Sequence, residues 1–146
     1  MSASNTCETA LLNLIFANSN FANVGDATGL RGSSTAGSLY VSLHSADVTE
    51  SGNQSSSELS YTGYARVAVA RSGSGWTVSG NSATNAAAVT FGACTAGSGT
   101  AAYFGIGTDS SGAGTLLFSG QLSSSLAISS GITPSFAIGA LTVTAD

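Results

Sequence analysis

Charge is what this sequence has least of. Its 146 residues contain no lysine, three arginines (Arg31, Arg66 and Arg71) and seven acids, so charged side chains make up only 7% of the chain. An ordinary soluble domain has about a quarter. Without a basic stripe there is nothing to displace counterions from a phosphate backbone, which excludes the electrostatic mode of nucleic-acid binding. A polybasic membrane contact is excluded by the same lack. Histidine occurs once, as His44, and cysteine twice, as Cys7 and Cys94. So few and so scattered, they match none of the usual zinc spacings, and the cysteines read as free thiols of a protein made in a reducing cytoplasm. The N-terminal apolar stretch, residues 10–17, is broken by Asn13 and falls short of the roughly 20 apolar residues of a membrane span. It also lacks the basic flank of a signal peptide. Heptads and fixed-period repeats are missing, which argues against a coiled coil or a repetitive shaft.

Glycine, alanine, serine and threonine fill most of what remains. Apolar residues nevertheless reach 42%, with aromatics spread along the chain, enough for a packed core rather than disorder. The length suits one domain. A chain that folds yet carries so little surface charge is expected to be covered by partners. The composition therefore points to a building block of an assembly before it points to an enzyme.

The local pattern predicts one helix and then strands. Asn5 is the expected N-cap, with Glu8 at capping-box spacing. Leu11, Leu14, Ile15 and Asn18 follow with helical periodicity, and Leu12 and Phe16 lie on an adjacent line. Residues 18–37 read as an extended arm or long connection. From Ser38 the period changes to two: Leu39, Val41 and Leu43 alternate with Tyr40, Ser42 and His44. Further strands are expected at 64–71, 76–78, 83–85, 88–91, 101–108, 115–122, 126–129, 136–138 and 140–144. Ser72-Gly73-Ser74-Gly75 is read as a hairpin connection into Trp76, and the loop at 109–114 as joining a second hairpin. Short strands at regular spacing predict an all-β, antiparallel β-sandwich or jelly roll of about eight strands. The expected organisation is an N-terminal helix and extended arm (1–37) and a β body (38–146) in one domain overall.

Few residues carry the prospect of chemistry. Ser42, His44 and Asp47 tempt a nucleophile–base–acid reading, but Ser42 and His44 would sit about 6.5–7 Å apart on one strand face, with no nucleophile elbow or oxyanion donors nearby. A polar strand end bonded to a loop or to a neighbouring subunit is expected instead. Asp47, Glu50 and Glu58 could gather oxygen ligands for calcium, without any EF-hand pattern. Gly105-Ile106-Gly107 lacks the helix and the third glycine of a dinucleotide fingerprint and reads as close strand packing. Neither a cofactor nor a catalytic residue is expected. Tyr61, Tyr64 and Tyr103 are expected to pack in the core with their hydroxyls bonded, or else to form an aromatic contact surface, and Trp76 reads as a core plug. Arg66 and Arg71 are candidates for inter-subunit bonds to carboxylates, because arginine binds them bidentately. Leu11, Leu14, Ile15, Arg31, Tyr61, Tyr64, Arg66 and Arg71 make up the candidate interface.

The runs Leu39-Tyr40-Val41-Ser42-Leu43-His44-Ser45-Ala46-Asp47, Tyr61-Thr62-Gly63-Tyr64-Ala65-Arg66 and Gly131-Ile132-Thr133-Pro134-Ser135-Phe136, with Gly139-Ala140-Leu141-Thr142-Val143, carry a resemblance. Over roughly residues 38–146 the chain resembles small structural proteins of tailed bacteriophages, often labelled tail-fibre-like. The resemblance implies a non-enzymatic virion component, made in the cytoplasm of a bacterial host. On one placement it is similar to jelly-roll cement, or capsid decoration, proteins that bridge capsomers of an HK97-like head. The partners would then be the major capsid protein and copies of itself, a homodimer favoured over a trimer, with neither nucleic acid nor membrane. The alternative is a tail or tail-fibre component that contacts the host receptor. A carbohydrate-binding module is a minor third.

Overall fold

A computed structural model describes residues 2–145. In chain order the elements are α1 (Asn5–Phe16), β1 (Ser38–His44), β2 (Val67–Ala70), β3 (Trp76–Ser79) and β4 (Ser82–Asn85), then β5 (Val89–Thr90), β6 (Gly99–Gly107), β7 (Leu116–Ile128), β8 (Ser135–Phe136) and β9 (Thr142–Thr144). The protein is mostly β, its paired strands antiparallel, in keeping with the all-β sandwich class. The chain divides into two compact units.

One unit comprises the chain up to Ser38, Val69–Ala88 and the chain from Phe136. Its helix begins one residue earlier than expected. Ser4 has extended backbone angles and its Oγ accepts the N–H of Cys7 at 3.3 Å, as an N-cap does. The helix buries the line of Glu8, Leu12 and Phe16, four residues apart, and leaves Leu11 41% exposed. Leu14 and Ile15 are half-buried. The reason is what α1 packs on: β3 and β4, where Phe16 meets Trp76 edge to face with ring centroids 4.7 Å apart. Strand β4 pairs with β3 (Val78 opposite Ala83) and with β9 (Ala83 opposite Val143). Leu12, Phe16, Val69, Trp76, Ala83, Leu141 and Val143 form the buried apolar set. Asn85, also buried, holds the C-terminal segment by donating to Ala137 O and accepting from Leu141 N. The connection Ser72–Gly75 does turn tightly, with Gly75 and Trp76 both donating to Ser72 O. It does not close a hairpin, because β2 and β3 belong to different sheets.

Residues 18–37 were expected to run extended, and they double back instead. Phe21 and Leu30 exchange both backbone hydrogen bonds, at 2.8 and 2.9 Å. Asn18 brackets Ser33 from both sides of its amide, accepting from Ser33 N and donating to Ser33 O. Asn20 Oδ1 accepts from Gly32 N, and Asp26 Oδ1 accepts the N–H groups of Thr28 and Gly29 at the tip. Asn and Asp side chains here replace the missing partner strand. Such a ladder has no two-residue period to reveal it.

The other unit comprises Leu39–Ala68 and Val89–Ser135. Strand β6 pairs antiparallel with β1 (Ser42 opposite Gly105, His44 opposite Tyr103) and with β7. Strand β7 ends the sheet order. Two expected strands, 115–122 and 126–129, are this single 13-residue strand. They read as two because Tyr103 pairs with Gln121 while Ala101 pairs with Leu126, so residues 122–125 bulge opposite Ala102 alone. Ser42 and His44, expected at a polar strand end, are fully buried. Gly105 explains how: a β-carbon there would lie 2.7 Å from both Ser42 Oγ and His44 Nε2. At Gly107 a β-carbon would collide with the Gln54 side chain. These glycines make room for side chains of their own chain. Leu39, Val41, Leu43, Val48, Leu59, Tyr61, Phe91, Ala101, Ile106 and Ile128 make up most of the apolar core.

Candidate functional site

The polar side chains that drew attention in the sequence converge in the second unit, where two loops, 45–60 and 108–115, meet. Arg66 is the hub. Its Nε and Nη2 donate to the two carboxylate oxygens of Glu58, each at 2.7 Å, a bidentate geometry. Its remaining donors reach Asp109 O at 2.9 Å and Gly112 O at 2.6 Å. The pair is deeply buried, the Arg66 side chain 2% and the Glu58 side chain 15% exposed. The carboxylate holds the guanidinium charged and raises its already high pKa. Tyr64 donates its hydroxyl to Glu58 Oε1 and accepts the N–H of Leu43. Burial pushes its phenol pKa up. Residues 64–66 were expected at the head of a strand. The side chains of Tyr64 and Arg66 are turned to Glu58, and the strand starts only at Val67.

Gln54 fastens the same loops from the other side. It is fully buried, its Nε2 donating to Asp109 O and its Oε1 accepting from Asp109 N, while its backbone N–H donates to Ala113 O. Nothing local in the sequence marks this residue, since a lone glutamine in a serine-rich loop looks solvated.

Ser42 and His44 do stand in hydrogen-bond contact, Oγ to Nε2 at 2.8 Å, with His44 Nδ1 2.8 Å from Ser56 O. A carbonyl can only accept, so Nδ1 carries the proton and Nε2 accepts from Ser42. That tautomer is the one a general base needs. Both side chains, however, are 0% exposed, so no substrate reaches the hydroxyl. The pair anchors β1 to the loop. Burial lowers the His44 pKa. A neutral form favoured by folding stabilises fully above the ordinary imidazole value of about 6.5 and less as pH falls through the lower folded value. Thermal melts of the wild type and His44→Gln are therefore expected to differ most above that pH. The gap should close on acidification, and a constant gap would refute the assignment.

The other candidates are placed as follows. Tyr61 is buried and donates its hydroxyl to Gly92 O. It packs edge to face on Tyr64, which stacks on Phe91. Arg71 lies in the first unit, where Nε and Nη2 donate to Ile15 O and Leu14 O and Nη1 donates to Ala36 O. It caps the C-terminus of α1, which has no basic residue in its own last turn. Arg66 and Arg71 thus make their bonds inside the chain, and what the sequence could not show was that carbonyls, from loops and a helix end, would satisfy them. Arg31 and Leu11 are exposed, while Leu14 and Ile15 are half-covered. Among the described residues no three His, Cys, Asp or Glu side chains are grouped to hold a metal, and Glu58 faces Arg66 rather than Asp47 and Glu50. Cys7 and Cys94 are free thiols.

A search of curated proteins found no match to the chain. Residues 2–144 match the family model described as podophage GP4 fiber I protein gp80. Covering almost the whole sequence, both units included, the match shows that this chain belongs to the podophage fiber I protein family and is a structural component of a bacteriophage virion.

Proposed function

We propose that the chain is a non-enzymatic subunit of a tail fibre that assembles with copies of itself. The observation that carries this reading is the internal commitment of its reactive side chains. His44, Glu58, Arg66 and Arg71 all bind groups of their own chain, which leaves a surface with few charges and many small residues, suited to extensive packing. Strand β7 ends its sheet with Leu117 and Leu126 partly exposed. An antiparallel edge strand is self-complementary about a two-fold axis, which favours a homodimer over a trimer. The competing reading, a cement protein bound to the major capsid protein, would use residues 18–37 as an arm across a capsomer boundary. The closed 18–37 loop gives that idea less support.

Localisation on the virion tests the placement: a small copy number at the tail vertex is expected, and hundreds of copies over the head would establish cement instead. Light scattering on the purified chain is expected to give a dimer that Gln121→Pro weakens without unfolding the monomer. A monomer at all concentrations would overturn self-assembly.

A further inference from the structure

The described residues form an open groove of about 830 Å³ between α1 and the 19–23 turn, within the size range of ligand sites. No charged residue lines it; Asn5, Thr6, Asn13, Asn20, Phe21 and Asn23 do. Two of these amides are half-used. Asn13 Nδ2 donates to Thr9 O at 2.9 Å, so its orientation is set while its Oδ1 is available to accept. Asn20 is the reverse case, its Oδ1 accepting from Gly32 N at 3.0 Å and its Nδ2 available to donate. A fixed acceptor and a fixed donor thus border one groove. Phe21, half-buried and pinned through its backbone to Leu30, adds an apolar ring beside them.

From this arrangement we infer that the groove is a binding site for a neutral saccharide. Sugar hydroxyls both donate and accept, which amides and hydroxyls match without any charge. The C–H face of a pyranose suits an aromatic ring. The lack of cationic or anionic lining disfavours phosphate, carboxylate and metal ligands. The Asn13 and Asn20 side chains are already held by bonds to backbone groups, so less ordering entropy opposes binding. The inference stands on the groove alone, and its failure would leave the structural role untouched.

The test is NMR titration of the isotope-labelled full chain with neutral hexose and N-acetylhexosamine oligosaccharides, alongside sialylated and phosphorylated ones. Saturable shifts are expected at the Asn13 and Asn20 side-chain amides and the Phe21 backbone amide, from neutral sugars only. Thr6→Trp changes an exposed residue and would fill the groove. It is expected to weaken binding by about tenfold or more with an unchanged melting temperature, and Phe21→Ala to weaken it as well. Absence of shifts with every neutral sugar, shifts mapping elsewhere, preference for the charged sugars, or full affinity in Thr6→Trp would each overturn the assignment.

Discussion

Deleting residues 1–37 is expected to unfold the first unit rather than trim an appendage. The deletion removes Leu12 and Phe16, which are 1% and 0% exposed, and bares the face of Trp76 that Phe16 covers. It also takes away the Leu14, Ile15 and Ala36 carbonyls to which Arg71 donates, leaving a guanidinium without its acceptors. The point substitution Phe16→Ala isolates the packing part, and a buried phenylalanine cut to alanine costs about 3–5 kcal/mol. Trp76 is the chain's single tryptophan, so its fluorescence reports on this unit alone. A red shift of its emission and an earlier urea midpoint are expected for Phe16→Ala, and full exposure for the deletion. An unshifted emission maximum in the truncated chain would show that α1 is a detachable element after all.

The second large effect is expected at Arg66. Replacing it with methionine leaves the Glu58 carboxylate buried with only the Tyr64 hydroxyl as a donor. It also strips a donor from Asp109 O and Gly112 O. Breaking a buried pair from one side costs about 3–5 kcal/mol, whereas replacing both partners with apolar groups is often close to neutral. Arg66→Met should therefore lower the urea midpoint far more than the double variant Glu58→Leu/Arg66→Met. Near-additive losses from the two single substitutions would mean that the bonds to the carbonyls, and not the ion pair, set the energy. Because loops 45–60 and 108–115 meet on these bonds, proteolysis within residues 109–114 is expected to accelerate in the single variant.

Both expectations rest on contacts between residues far apart in the chain, and this separates what the sequence made legible from what it hid. The helix was legible because capping and a four-residue apolar spacing are local. Which line faced inward was not, since Leu11–Leu14–Ile15 and Leu12–Phe16 are equally apolar and only Trp76, 60 residues beyond Phe16, decides between them. The β1 and β6 strands were legible from their two-residue period. The long β7 was not, because a four-residue bulge breaks its alternation. Ser42 and His44 read as a bonded polar strand end, but not as buried, for a strand with polar residues on one side looks the same whether a loop of its own chain or another subunit covers it.

By itself the sequence determined the class of the protein: mostly strands, one capped helix and very little charge. These properties follow from composition and from short-range periodicity, and no distant contact can alter them. The tertiary structure alone decided the fate of the rare polar groups. Arg66, Arg71, Gln54 and His44 became internal fasteners, and Asn13 and Asn20 were left with free ends at a surface groove. A buried hydrogen bond requires a partner at a set distance and angle, and that partner is a loop carbonyl or helix end whose position exists only once the chain has folded.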